Sequence, residues 1–335
     1  MRKHRSIAAH IILRGFITLL PIIVSGGLLL VLSWQIDYQS VLERLRLISL
    51  WSLFAGVAAF LGNIILAAQR FSLIARDVTG VRPSFRKTLK INFLSLFLVY
   101  FVPVAAMADA ARIAAGCQML AFSPAISVRC VIHDRILALS GFVFSAGLVL
   151  PLLIWLQVES WAVTVTMLLV AGATLLGAVV WIIALKGRGS SRSVNAFIER
   201  SAQQLTAHLT GRRRLARQVA VALGTGLMAA LQLYVLAAGL GIALPFVAAL
   251  ALTPLISLAQ VLPFLYGGYG AREAAAGALI GGSWASPDAA VALGLAIGLT
   301  NLIASLPWVL VTGRFTYEAV VRAFTGRRDI TDRAN

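Results

Sequence analysis

The stretch that decides the fold is VLPFLYGGYGAREAAAG, residues 261–277. It places two opposite charges, Arg272 and Glu273, side by side in a run that is otherwise almost entirely apolar. Ahead of these charges the run contains a proline and three glycines: Pro263, Gly267, Gly268 and Gly270. Proline removes a backbone donor and glycine permits φ > 0, so the segment is predicted to interrupt a helix.

The composition of the whole chain indicates a membrane protein. Of its 335 residues, 60% are hydrophobic and 12% are charged, and the mean hydropathy is +0.90. A soluble domain has roughly 45–50% apolar residues. We therefore predict an all-α polytopic membrane protein, a single transmembrane domain over 1–335, with about six full spans and two broken or re-entrant helical hairpins.

The net charge of +17 does not indicate a nucleic-acid partner, because the basic residues lie between the apolar runs. Most of the 29 Lys and Arg residues fall in four groups, at 2–14, 70–90, 186–217 and 314–333. By the positive-inside rule these groups are cytoplasmic. Both termini are therefore predicted to lie in the cytoplasm.

The apolar runs, together with the cytoplasmic placement of the basic groups, define a topology. The predicted spans are at about 15–34, 47–68, 134–156, 161–185, 217–238 and 288–312. Two bipartite elements remain, each with arms too short for a crossing of ~20 residues or interrupted midway. They are 89–116, broken at Pro103, and 244–283, broken at Pro263.

The two broken elements resemble each other. VPVAAMADAARIAAG (102–116) and LPFLYGGYGAREAAAG (262–277) both place an arginine nine residues after a proline, with a carboxylate close by. The arginines are Arg112 and Arg272, and the carboxylates are Asp109 and Glu273.

This similarity predicts an inverted repeat. Residues 1–157 and 158–335 would each form two spans, a broken hairpin and a further span, in opposite orientations. Inverted repeats are typical of transporters, whose substrate sites lie near the membrane midplane where discontinuous helices meet.

The chemistry of the broken helices favours an anionic headgroup. A helix that restarts after a break directs unpaired N–H groups and a positive dipole end into the cavity, and a nearby arginine adds a planar fork suited to phosphate. The candidate substrate-binding residues are Asn92, Asp109, Arg112, Arg135, Gly267, Gly268, Gly270, Arg272 and Glu273. We predict no catalytic residue, metal ligand or cofactor.

Structural alternatives apply to each charged motif. Arg272 with Glu273, and Asp109 with Arg112, could be ion pairs that only hold the hairpins. Asp134, within the triplet 133–135, is expected in the first turn of a span as a helix cap. The segment 186–217 is predicted to be amphipathic and interfacial, with Arg212, Arg213 and Arg214 resting on anionic lipid.

The order of three motifs resembles a known family. NFLSLFLVYFVPVAAMADAAR (92–112), SVRCVIHDRILAL (127–139) and LPFLYGGYGAREAA (262–275) are similar to the transmembrane region of bacterial lysylphosphatidylglycerol synthases and related stand-alone flippase-like proteins. In the first hairpin, the family's pattern is matched at Asn92, Pro103, Asp109 and Arg112. Ala108 stands where the family has glycine.

The resemblance implies a lipid flippase in the bacterial inner membrane. Its expected cargo is a phospholipid, anionic or aminoacylated, or a polyprenyl- or hopanoid-type lipid, and a second copy or a partner enzyme is possible. Two-domain members append a cytoplasmic aminoacyl-transferase domain. Nothing of that size follows Arg314, so we do not expect this chain to be an enzyme.

Two other functions stay open at this point. One is an intramembrane lipid transferase, although no D-x-x-x-D or H-E-x-x-H motif occurs near Asp77, Asp109 or Asp134. The other is a non-transporting partner that regulates a lipid-modifying enzyme or glycosyltransferase through 186–217.

Overall fold

The computed structural model describes residues 19–34, 36–102, 105–155, 211–260 and 266–306, and the single positions 164, 168 and 172. Within these ranges the chain is helical and contains no strand, which confirms the predicted all-α membrane class. Four of the described helices are long and apolar enough to cross a membrane, or five if one bent pair forms a single span. The predicted span 161–185 and the segment 186–210 fall almost wholly outside the described residues, as do Pro103 and Pro263.

Outside the segment between 156 and 210, the described spans and hairpins follow the predicted order, with one additional helix after the first span. The helices are α1 Leu19–Ser33, α2 Tyr38–Leu47, α3 Leu50–Thr79, α4 Phe85–Phe101, α5 Ala105–Leu120, α6 Pro124–Trp155, α7 Arg212–Gly239, α8 Phe246–Gln260, α9 Ala271–Ile280 and α10 Pro287–Ser305. Four of them form the two predicted hairpins: α4 with α5, and α8 with α9.

The first predicted connection is itself helical. Helix α2 follows α1 at an angle of 99° and occupies most of the segment expected to be a loop. Asp37 caps it, since the carboxylate accepts a hydrogen bond from the backbone N–H of Gln39 at 3.0 Å. The backbone N–H of Asp37 also donates to Asp288 at 3.1 Å, so the starts of α2 and α10 lie together.

Helix α6 begins ten residues earlier than predicted, and the expected capping role of Asp134 is wrong. The helix starts at Pro124 and runs for 32 residues, about 48 Å at ~1.5 Å per residue. The sequence predicts that this span starts at about residue 134, because its first turns contain polar residues. They are helical because neighbouring helices bury them, and Ser127, for example, donates to the carbonyl of Ile113 on α5 at 2.8 Å.

Helices α3 and α7 form a closely packed antiparallel pair. A Cβ added to Gly62 would lie 2.9 Å from the sulfur of Met228, and Gly224 is nearly as close to a side chain of α3. The amide of Asn63 donates to the carbonyl of Thr225 at 2.9 Å. Small residues and interhelical hydrogen bonds are the usual means of packing helices in a membrane, where the hydrophobic effect does not drive their association.

The two hairpins open towards opposite ends of the molecule. Arg70, in the second half of α3, contacts Asp134, in the first half of α6, so the connections on either side of the first hairpin lie at one end. The second hairpin starts after Gly239, which lies against Ser52 at the other end of α3. This arrangement is the one the inverted repeat requires. The division at residue 157 stays a prediction, because few residues between 156 and 210 are described.

Each hairpin has its own buried apolar core. The first core includes Phe71, Ile91 and Leu98, and lies among α3, α4, α5 and α6. The second includes Leu236, Leu252 and Leu293, and lies among α7, α8, α9 and α10 with the end of α6. Arg112 and Arg272 are buried beside these cores.

Candidate functional site

The second hairpin holds Arg272 and Glu273 as a fully buried ion pair. Both residues have 0% exposure, and Nη2 of Arg272 donates to Oε1 of Glu273 at 2.7 Å. The Nε of Arg272 donates to the carbonyl of Gly294 at 2.9 Å. The second carboxylate oxygen, Oε2, accepts the backbone N–H of Gly270 at 2.7 Å. The carboxylate therefore both neutralises the arginine and satisfies a donor at the start of α9.

The glycine cluster forms the turn that precedes this pair. Gly267, Gly268 and Gly270 have φ values of +59°, +73° and +84°, in the region where glycine is favoured. At Gly270 a Cβ would also lie 2.7 Å from the Cβ of Leu28, so α1 packs directly on the break. These three positions are predicted substrate contacts, and the structure places them beside the buried ion pair.

Two glycines of α10 make room for the pair, and sequence reasoning missed them. A Cβ on Gly294 would lie 2.8 Å from the Cα of Glu273, and a Cβ on Gly298 would collide with the guanidinium of Arg272. Their spacing, glycine-x-x-x-glycine, is a known signal for close helix approach in membranes and could have identified them.

The first hairpin holds Arg112 through a carboxylate from a different helix. Its Nη2 donates to Oδ2 of Asp134 on α6 at 2.8 Å and to Oδ1 of Asn92 on α4 at 3.3 Å. The guanidinium carbon lies 4.9 Å from the ring centroid of Phe71. Oδ1 of Asp134 accepts from Nε of Arg70 at 2.8 Å, so one carboxylate bridges two arginines.

The ion pair considered between Asp109 and Arg112 is not the one the structure forms. Asp109 instead pairs with Arg135, whose Nη2 donates to Oδ1 at 2.7 Å, and the two side chains are 33% and 43% exposed. The two residues of α5 diverge because Arg112 is turned inward to Asp134, whereas Asp109 faces the exposed edge. Sequence reasoning overlooked Arg70 and the bridging role of Asp134, which have no local signal.

The two helix breaks contact each other through aromatic side chains. The hydroxyl of Tyr266, in the second break, donates to the carbonyl of Tyr100 in the last turn of α4 at 2.9 Å. The rings of Tyr100 and Tyr269 meet edge to face at 6.3 Å. Asn301 donates to the hydroxyl of Tyr100 at 2.9 Å and accepts from Gln232 at 2.7 Å. A polar chain thus joins both hairpins to α7 and α10.

Both buried arginines keep an unused donor. Nε of Arg112 and Nη1 of Arg272 have no hydrogen-bond partner among the described residues. An unpaired buried donor costs about 1–3 kcal/mol, so each is a favourable position for an additional acceptor such as a phosphate oxygen. In the same part of the chain, no three His, Cys, Asp or Glu side chains converge as metal ligands would.

A family model described as the lysylphosphatidylglycerol synthase TM region matches residues 18–308. The match covers most of the chain and includes both hairpins and the contact between their breaks. A search of curated proteins found no match.

Proposed function

Because the chain belongs to the lysylphosphatidylglycerol synthase transmembrane-region family, whose members are membrane proteins related to lipid handling, we propose that it is a lipid flippase. It moves a phosphate-bearing lipid headgroup, anionic or aminoacylated, across the bacterial inner membrane. The chain contributes binding and conformational change and carries out no bond chemistry. Its basic ends face the cytoplasm.

The observation that carries this proposal is the matched pair of buried arginines. Arg112 and Arg272 each follow a helix break, each is held by a carboxylate, and each has one guanidinium nitrogen without a hydrogen-bond partner among the described residues. Intramembrane charges are costly, and a purely structural ion pair has no need of a spare donor. A phosphate oxygen is the acceptor that an arginine fork binds best.

Access to these arginines requires movement. Arg272 is fully enclosed, so a headgroup reaches it only when the surrounding helices separate. The contact between Tyr266 and Tyr100 lies where the two breaks meet, and it would open in that step. Rocking of one hairpin bundle against the other would expose the arginines in turn, while the acyl chains stay in the bilayer.

The decisive test is transport of a headgroup-labelled phosphatidylglycerol in vesicles that contain the purified chain, read by access of the label to an external quencher. Arg112→Gln leaves Asp134 paired with Arg70, and the double variant Arg272→Gln/Glu273→Gln removes both charges of the second pair. Neither change leaves a carboxylate of the site unpaired. Both variants should fold and lose transport about tenfold or more, the worth of one charge-assisted hydrogen bond.

Arg46→Gln is the matched control, because it removes an exposed arginine of α2 away from both hairpins. It should transport like wild type. Wild-type rates in the two site variants, with melting temperatures that show them folded, would contradict the proposal. So would the absence of exchange in wild type for phosphatidylglycerol and for a labelled polyprenyl phosphate.

A further inference from the structure

A cavity separate from the buried hairpin arginines lies between α3, the connection that follows it and α7, at the arginine-rich end of the molecule. It has a volume of about 350 Å³. Its lining residues are Gln69, Leu73, Arg82, Arg217, Ala220 and Val221. Arg82 lies in the connection between α3 and α4, and Arg217 lies in the second turn of α7, so separate segments supply the two cations.

We propose that this cavity binds the phosphate group of an anionic phospholipid, as an accessory site distinct from the two hairpin arginines. The proposal does not depend on transport. It assigns a ligand to a cavity whose two arginines, Arg82 and Arg217, have no carboxylate partner among the described residues.

The charge of the cavity distinguishes it from the buried and half-buried arginines of the described helices, which have acidic partners. Arg70, Arg76, Arg112, Arg135 and Arg272 each contact a carboxylate. Within the same described ranges, Arg82 and Arg217 form no ion pair or hydrogen bond, and both are exposed. Two free guanidinium groups across one cavity are suited to an anion that bridges them, and phosphate accepts the bidentate bonds that guanidinium offers.

The remaining walls favour a lipid over free phosphate. Leu73, Ala220 and Val221 supply an apolar side, and Gln69 supplies one amide. Val81 and Leu223, which neighbour lining residues in the sequence, are further exposed apolar side chains. A phospholipid satisfies both parts, since its phosphate contacts the arginines while an acyl chain follows the apolar surface of the helices.

Occupation of this site would join the two halves of the molecule. Arg82 belongs to the first half and Arg217 to the second, and α3 and α7 are the antiparallel pair between them. A ligand that bridges both arginines binds the observed arrangement more tightly than an arrangement in which Arg82 and Arg217 have moved apart. It therefore stabilises the observed packing by the ordinary linkage of binding to conformation.

The test compares the melting temperature of the full chain in nanodiscs of pure phosphatidylcholine with that in nanodiscs that contain increasing fractions of phosphatidylglycerol. Wild type should be stabilised as phosphatidylglycerol rises. In Arg82→Gln/Arg217→Gln the fraction needed for half of the shift should rise about tenfold or more, since two charge-assisted contacts are lost.

The matched control is Arg86→Gln/Lys87→Gln, which removes the same charge from exposed positions at the start of α4 outside the cavity. It should retain most of the response. An equal loss in both double variants would mean a diffuse attraction of basic surface to anionic lipid and would overturn the site, as would an unchanged response in the cavity variant.

Two further arms complete the design. Inorganic phosphate added to nanodiscs of phosphatidylcholine should give no shift at concentrations up to about 10 mM, because exposed ion contacts contribute only about 0–1 kcal/mol each. A shift equal to that from phosphatidylglycerol would show that the ligand is a free anion and would overturn the proposal.

The hairpin variant Arg272→Gln/Glu273→Gln should keep the response to phosphatidylglycerol. Loss of the response in this variant would show that the lipid binds at the hairpins instead.

Discussion

The two buried arginines obtain their carboxylates in different ways. Arg272 takes Glu273 from the next position of its own helix, within the first turn of α9. Arg112 takes Asp134 from α6, across a helix interface, and shares it with Arg70. The first pair is a local feature of one segment. The second exists only because three helices pack together.

This difference leads to an expectation for Asp134→Asn compared with Asp109→Asn. Loss of the Asp134 charge leaves Arg70 and Arg112 buried without a carboxylate, a change that costs about 3–5 kcal/mol. The pair of Asp109 with Arg135 is partly exposed, so its loss should cost only about 0–1 kcal/mol. Melting temperatures of the two variants in one detergent would measure the difference, and equal losses would contradict the bridging role of Asp134.

Sequence reasoning about single residues succeeded where the partner was close in the chain. As the structural alternative to substrate binding, the motif ARE (271–273) offers an ion pair between Arg272 and Glu273, and the structure forms that pair. Sequence reasoning failed for Asp109 and Arg112, which are also near neighbours in sequence, because inward and outward faces of α5 are decided by what packs on it. Whether any of these side chains binds substrate stays a prediction.

At the scale of helices, the packing of α10 against the start of α9 depends on two glycines, which have no side chain to hold the helices apart. Gly294 and Gly298 lie four residues apart on the face of α10 that meets Arg272 and Glu273. The backbone of α10 comes close enough for the carbonyl of Gly294 to accept from Arg272. The glycine spacing thus serves a buried charge as well as helix packing.

We expect Gly298→Ala to displace the guanidinium of Arg272 from its position against α10. Overpacking of this kind costs about 1–3 kcal/mol, and transport should fall with it because the arginine is no longer held beside Glu273. Gly226→Ala on α7 is the control, since its Cβ would meet only the hydroxyl of Ser145 at 3.9 Å.

The control variant should be neutral or more stable by up to about 1 kcal/mol, the difference in helix propensity between the two residues. Unfolding in detergent and transport in vesicles would be measured for both variants. Full transport in Gly298→Ala would show that the position of Arg272 does not matter to the activity.

Helix boundaries show the same division between local and tertiary information. The sequence predicts helix α7 at 217–238, and it is observed over Arg212–Gly239; a long apolar run preceded by arginines is recognised from the sequence alone. Helix α6 was predicted ten residues too short, because its buried polar residues resemble a loop in sequence. A membrane helix with a polar inner face is recognised only when its neighbours are known.

At the scale of the whole molecule, the two hairpins approach the centre from opposite ends and meet at Tyr100 and Tyr266. The connections around the first hairpin share one end with the start of α7. Those around the second share the other end with α2, where Asp37 contacts Asp288. This arrangement provides one broken element facing each side of a bilayer.

The orientation can be measured by labelling single cysteines in intact bacterial cells with a membrane-impermeant maleimide. In a background that lacks Cys117 and Cys130, we expect Leu47→Cys and Ser283→Cys to be labelled from outside. Val81→Cys and Ala125→Cys should be labelled only after the membrane is opened. All four positions are exposed in the folded protein.

The basic groups beside Val81 are the reason for this expectation, since positive segments stay in the cytoplasm. Labelling with the two pairs exchanged would reverse the predicted orientation of the chain. Labelling of Ala125→Cys and Ser283→Cys from the same side would contradict the opposed hairpins altogether.

The sequence alone determined the membrane class, the presence of two broken hairpins, and the adjacent charges Arg272 and Glu273 after the second break. These features follow from hydropathy, charge distribution and backbone chemistry within one segment at a time. Only the tertiary structure decided that Asp134 bridges Arg70 and Arg112, that the helix breaks meet at Tyr100, and that α3 and α7 leave a basic cavity. Each of these features depends on contacts between segments that are distant in the chain. Helix packing brings such segments together, and neither segment alone contains a sequence pattern that identifies its partner.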